Sequence, residues 1–104
     1  MARFLMTYIG GNPPATPEEG QAHFAKYQQW LGALGDSVES AMNPIKSTHS
    51  IQPDGQVSSE DTLGMSGFTI LLADDIDAAV EMAKGCPFLD IGGTLEVSEL
   101  VQMG

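Results

Sequence analysis

The 104-residue chain is 42% hydrophobic and 17% charged, which supports one globular domain over residues 1–104. Fourteen acidic residues against four basic ones give a net charge of −10. We expect neither a nucleic acid nor an anionic membrane surface as a partner, because both require clustered cations. A lone cysteine, no secretory signal and no run of about 20 apolar residues predict a cytoplasmic protein.

The first third of the chain predicts a strand followed by a long helix. Residues 2–9 alternate between two faces and predict the strand, which a loop rich in Gly and Pro ends. Thr16, Pro17 and Glu19 then occupy the N-cap, N1 and N3 positions of a capping box, and we expect the helix to end near Leu34. The apolar face of this helix consists of Phe24, Tyr27, Trp30, Leu31 and Leu34.

The rest of the chain alternates strands with a second helix. Residues 37–42 are ambiguous, and Asn43-Pro44 predicts a break. A strand is predicted at 45–52, which returns at 56–58 after a Pro-Asp-Gly turn, and another at 68–73. The second helix is capped by Asp74 or Asp75, and its residues toward the core are Ile76, Ala79, Val80 and Ala83. The last strand is predicted at 94–102, with Leu95, Val97 and Val101 on one face. This order predicts an α+β fold, a ferredoxin-like βαββαβ sandwich.

The strand faces predict an assembly. Both faces of the strands at 2–9 and 68–73 are largely apolar, and two helices on one side of a sheet cover only one of them. Each large apolar side chain left in water forfeits about 1.5–3 kcal/mol. We therefore expect a homodimer joined through its sheet faces. The alternative is a monomer whose polar loop at 53–65 covers the second face.

Three C-terminal stretches resemble a known family. Residues 67–79 (GFTILLADDIDAA) resemble the pattern G-(Y/F)-x-I-x-x-A-D-D-(L/I)-D-x-A of the YCII-related, or DGPF-domain, family. Residues 83–87 (AKGCP) and 92–97 (GGTLEV) continue the pattern in order. The resemblance implies a dimeric α/β barrel. It also implies relatives that are small-molecule isomerases or lyases, or accessory proteins encoded beside sigma factors.

The chain departs from the family pattern in two places. The Asp-Gly-Pro-Phe motif is absent, and residues 57–63 read VSSEDTL in its place. The resemblance also implies a catalytic pair of a helix-1 His with an Asp that precedes a Pro. His23 matches the His, but Cys86 stands before Pro87 where the Asp belongs. The proposed pair is therefore broken.

Two histidines are candidate catalytic residues. His23 shares a helix face with Tyr27 and Trp30, where it acts either as a general acid or base beside a pocket or as a hydrogen-bonded core histidine. His49 lies in the predicted strand at 45–52 and would assist proton transfer. Two histidines without ligand spacing do not predict a metal site, and no cofactor is predicted.

The aromatic residues Tyr8, Tyr27 and Trp30 are candidate ligand-binding residues, with packing in the core as the alternative. Cys86 follows the negative end of the second helix dipole, which favours a structural thiol over a nucleophile. Three functions remain open: a small-molecule binding or accessory protein with a pocket beside the first helix, an isomerase or lyase that uses His23, and a structural dimer module without a ligand.

Overall fold

The computed structural model describes residues 1–60 and 62–102 and confirms the α+β class. A four-stranded antiparallel sheet with the order β2-β5-β1-β6 carries two helices, an arrangement compatible with the ferredoxin-like fold. The elements are β1 (Ala2–Gly10), α1 (Pro17–Leu34), β2 (Val38–Pro44), β3 (Ser50–Ile51), β4 (Val57–Ser58), β5 (Met65–Ala73), α2 (Ile76–Lys84) and β6 (Gly93–Glu99). Among the described residues, no helix combines the length and hydrophobicity needed to cross a membrane.

Both helices begin at side-chain caps that the sequence predicts. Thr16 Oγ1 accepts a hydrogen bond from the Glu19 amide at 3.1 Å, and Glu19 Oε2 accepts one from the Ala15 amide at 3.1 Å. The Glu19 side chain thus reaches one residue further back than the standard capping box. Asp75 is the cap of α2, since its Oδ1 accepts from the Ala78 amide at 2.8 Å. These local contacts fix where each helix starts.

The second strand lies earlier in the chain than predicted. It is β2, which pairs with β5 from Val38 and ends at the predicted break, at Pro44. Proline is tolerated there because β2 is an edge strand and Pro44 is its last residue. The predicted strand at 45–52 forms only in part. In the segment predicted as a strand, only Ser50–Ile51 pairs, in the short hairpin with β4.

The β3–β4 hairpin forms a separate two-stranded sheet. Its predicted turn is confirmed, since Gly55 has a φ of +90° and Asp54 Oδ1 accepts from the Gln56 amide at 2.9 Å. Ile51 and Val57 of the hairpin are 71% and 61% exposed. The predicted loop that follows includes Asp61, which lies outside the described residues. The radius of gyration, 15.2 Å, exceeds the roughly 13 Å of a compact chain this long.

The core lies on one face of the sheet. Phe4, Met6 and Leu71 are fully buried there, and both helices contribute to the same cluster. On the opposite face, Ile70 is buried and Leu5 and Leu72 are half-buried, and no helix of the described residues packs on them. The remaining core residues are Tyr8, Tyr27, Trp30, Ala73, Ala79, Ala83 and Cys86.

Three predicted core positions differ in the structure. Val101 is 81% exposed because β6 ends at Glu99, two residues before it. Ile76 and Phe24 are also exposed, at opposite ends of the helical layer. In α2 the buried positions are Ala79 and Ala83, small residues that allow the helix to lie close to the sheet. Periodicity predicted the correct helix faces but not how far along each helix the packing extends.

Candidate functional site

A cavity of about 190 Å³ lies beside the N-terminal half of α1, where β1 and β2 end and β5 begins. Its aromatic wall comes from three separate parts of the chain. The first is the end of β1, the second is α1, and the third is the 3-10 segment Pro87–Ile91 that follows α2. The wall residues that matter for its chemistry are Tyr8, His23, Tyr27, Asn43, Ser66 and Phe88.

Two glycines allow the cavity wall to close. A methyl group at Gly67 would lie 3.0 Å from the Asn43 carbonyl oxygen, so that glycine permits β2 to approach β5 at the cavity edge. A methyl group at Gly93 would overlap the Phe88 ring. Phe88 therefore packs directly on the backbone of β6 and reaches Tyr8, with ring centroids 5.1 Å apart and an interplanar angle of 79°. This edge-to-face contact holds the 3-10 segment against the sheet.

A chain of buried hydroxyl groups lies behind this wall. Tyr8 Oη is 2.5 Å from Tyr27 Oη and 2.7 Å from Thr69 Oγ1, and Thr69 Oγ1 donates to the Ala41 carbonyl oxygen. Thr69 is fully buried, whereas both tyrosines line the cavity. Burial raises the pKa of Tyr8 far above its ordinary value, so the hydroxyl stays protonated. The chain therefore connects the cavity to the edge strand β2.

The other polar side chains of the wall are engaged with the protein. Asn43 Nδ2 donates to Ser40 Oγ at 2.9 Å and to the Phe68 carbonyl oxygen at 3.1 Å. Ser66 Oγ donates to the Tyr8 carbonyl oxygen at 3.2 Å. These bonds brace the ends of β1, β2 and β5 against one another. Both amide protons of Asn43 and the hydroxyl proton of Ser66 are thus already used.

His23 of α1 is half-buried and lines the cavity. Within residues 1–60 and 62–102, no side chain or backbone group forms a hydrogen bond with its imidazole. A catalytic histidine is normally held in one tautomer and orientation by a bond to its second nitrogen. His23 is therefore placed to contact a ligand, without the orienting partner of a general base.

The structure brings together three of the five predicted site residues and separates the other two. Tyr8, His23 and Tyr27 line the cavity. Trp30 packs against α2 instead, and its Nε1 donates to the Met82 carbonyl oxygen at 3.0 Å. His49 is exposed in the irregular segment between β2 and β3. The two histidines are thus on different parts of the molecule.

Cys86 lies between α2 and the 3-10 segment and is buried in the core. Burial raises the pKa of its thiol to about 11, which opposes a thiolate nucleophile at neutral pH. No cluster of three or more potential metal ligands occurs in the described part of the chain. The acidic residues at the start of α2 are explained by the cap and by the helix dipole.

Four residues of the site were missed by the sequence analysis: Asn43, Ser66, Thr69 and Phe88. Thr69 could have been identified from the sequence, because it is a polar residue on the same strand face as the buried Leu71. A polar side chain on a core face needs a hydrogen-bond partner. Phe88 could not have been identified in this way, since its contact with the cavity depends on the path of the chain after α2.

The chain matches no model of a known protein family, and no curated protein is significantly similar to it. The resemblance to the YCII-related family therefore stays a prediction. The fold and the cavity stand on the structure alone.

Proposed function

We propose that the protein is a homodimer that binds a small molecule in the cavity beside α1. The observation that carries this proposal is the cavity itself, whose aromatic wall is backed by a buried hydroxyl chain. A concave, mostly apolar wall with a few fixed polar groups is the usual composition of a small-molecule site. An engineered apolar cavity of about 150 Å³ binds benzene, so a volume of about 190 Å³ suits a ligand of one ring.

The homodimer is proposed from the outer face of the sheet. Both helices pack on the other side of the sheet, so the outer face has no helix: Ile70 is buried there within the chain, but Leu5 and Leu72 are only half-buried. The hairpin does not supply a cover of packed apolar residues, since Ile51 and Val57 are themselves exposed. A second copy packed sheet against sheet would bury this face and form the predicted dimeric barrel. The YCII-related resemblance implies the same assembly.

Polar and charged residues lie around the edge of the outer face of the sheet. Arg3 of β1 reaches Glu39 of β2 across the intervening β5, with Nη2 2.6 Å from Oε2. Both side chains are well exposed, so the pair neutralises charge but adds little stability. Glu96 and Ser98 of β6 are exposed at the other margin. An apolar centre with polar margins is the typical anatomy of an interface.

An isomerase or lyase is the second candidate, because His23 lines the same cavity. Two observations weigh against it. No described residue orients the imidazole, and the nearby Cys86 is held protonated by burial. Replacing His23 with Ala would reduce turnover by roughly 10²–10⁴-fold in an enzyme, but it would change only ligand affinity in a binding protein.

The ligand proposal is tested by thermal unfolding in the presence of neutral single-ring molecules, with benzene and phenol as the first probes. A ligand at 100 times its Kd stabilises the native state by about 2.7 kcal/mol and raises Tm. His23→Trp should fill the cavity mouth and abolish the shift. Lys26→Trp, on the exposed side of the same helix, is the matched control and should keep it. If no single-ring probe raises Tm, the structural dimer module is the better description.

The assembly is tested by sedimentation at micromolar concentration. Two chains of 11.0 kDa should sediment together. Leu72→Glu places a charge on the apolar outer face and should produce monomers, since an unpaired carboxylate cannot be buried cheaply. Gln28→Glu adds the same charge on the exposed side of α1 and should leave the dimer intact. A folded wild-type monomer would contradict the dimer and the barrel together.

A further inference from the structure

The hydroxyl chain behind the cavity has a definite direction. Thr69 Oγ1 lies 2.5 Å from the Ala41 carbonyl oxygen, and a carbonyl oxygen can only accept. The single proton of Thr69 is therefore used in that bond. In the 2.7 Å contact between Tyr8 and Thr69, the donor must then be Tyr8. Since Tyr8 also has one proton, the donor in its 2.5 Å contact with Tyr27 must be Tyr27.

The opposite direction fits the distances poorly. It would require Tyr27 to donate to the Ala41 carbonyl oxygen, and those atoms are 3.4 Å apart. The 2.5 Å contact from Thr69 to the same carbonyl is far closer to the usual hydroxyl hydrogen-bond length. The raised pKa of Tyr8 keeps its own hydroxyl proton in place at neutral pH. The order Tyr27 to Tyr8 to Thr69 to Ala41 is thus the one that uses the short contacts.

This direction leaves an acceptor at Tyr27, one of the two tyrosines that line the cavity. The Tyr27 oxygen gives its proton to Tyr8, and no described residue donates a proton to it in this arrangement. The wall protons of Asn43 and Ser66 are also used within the protein. Among the described residues, no Lys or Arg lines the cavity. Apart from the imidazole of His23, the described side chains of the wall therefore offer lone pairs and no free donors.

Resting on the proposed function, we infer that the ligand is a single-ring molecule that bears a hydroxyl or amine group, which donates a hydrogen bond to the Tyr27 oxygen. An anionic group such as a carboxylate would meet acceptors in a protein of net charge −10. A ring without a donor would fill the cavity but leave the Tyr27 lone pairs without a partner. We therefore expect neutral or cationic hydrogen-bond donors to bind more tightly than anions and than purely apolar rings.

The test compares phenol with anisole, in which a methyl group replaces the hydroxyl proton. Kd is measured for each by NMR titration of the full chain. The wild type should bind phenol about 10-fold more tightly, the effect of one buried hydrogen bond. Tyr27→Phe removes the acceptor and should reduce this preference to near unity. Lys26→Ala, on the exposed side of α1 and outside the cavity wall, is the control and should keep the preference.

The possible results separate the two proposals. Equal affinities for phenol and anisole in the wild type overturn the inference and leave the binding cavity standing. An unchanged preference in Tyr27→Phe also overturns it, since the acceptor would then be another atom. If neither probe binds, the proposed function and the inference fail together. Should Tyr27→Phe not fold, the comparison of phenol with anisole in the wild type decides alone.

Discussion

The two halves of α1 present the same kind of aromatic face to very different surroundings. In the C-terminal half, Trp30 packs against α2 and donates to the Met82 carbonyl oxygen. A methyl group at Gly85 would lie 3.3 Å from the indole, so the ring is closely packed on the backbone there. Toward the N-terminus, His23 and, just past the midpoint of the helix, Tyr27 face a cavity of about 190 Å³. One half is a closed core and the other an open pocket.

The cause of this difference is the length of the element opposite α1. α2 has nine residues against the 18 of α1, and Gly85 and Pro87 end it. The chain then continues as a short 3-10 segment that places Phe88 against Tyr8. A 3-10 segment is a poorer cover than a helix, because its side chains eclipse every third residue. The same helix face is therefore part of the core where α2 continues and part of the cavity wall where α2 has ended.

The largest expected effect comes from the closed half. Trp30→Ala should lower the free energy of unfolding by about 3–5 kcal/mol, since it removes a buried aromatic ring and leaves the Met82 carbonyl without its donor. Phe24→Ala, in the open half, removes a side chain that is 44% exposed and should cost less than about 1.5 kcal/mol. Urea unfolding of both variants measures the contrast. Equal losses would contradict the division of α1 into a closed and an open half.

A smaller effect is expected at the junction of the two halves, where Cys86 lies. Burial raises the pKa of its thiol from 9.0 to about 11, so the folded chain holds the proton more tightly than the unfolded chain. Stability from this group is complete below pH 9 and is lost as the pH rises toward 11, by at most about 3 kcal/mol. Urea unfolding between pH 8 and pH 11 checks this sign. Cys86→Ala should show a weaker decline over the same window.

Thiol labelling gives an independent measure of the same burial. At pH 8 the native thiol should react with iodoacetamide about 100-fold more slowly than the unfolded chain, because the thiolate fraction falls tenfold for each unit of pKa. Rapid labelling of the native protein would mean that the junction opens and that the closed half does not extend to Cys86.

The candidate site was only partly predictable from the sequence. Tyr8, His23 and Tyr27 were identified because a strand face and a helix face each repeat with a known period. The same period also predicts Trp30 as a site residue, because periodicity does not show whether a helix residue packs against α2 or lies beside the cavity beyond the end of α2. His49 was predicted within the strand at 45–52, of which only Ser50–Ile51 forms. Phe88 and Thr69 entered the site through contacts with residues far away along the chain.

Local chemistry in the sequence determined the helix starts at Thr16 and Asp75, the turn at Gly55 and the alternating faces of β1 and β5. These features depend on neighbours within a few residues, which the sequence states directly. Only the tertiary structure decided that β2 continues to Pro44, because an edge strand exists only when β5 lies beside it. The cavity and its directed hydroxyl chain likewise required residues 8, 27, 41 and 69 to meet, and no local pattern encodes that meeting.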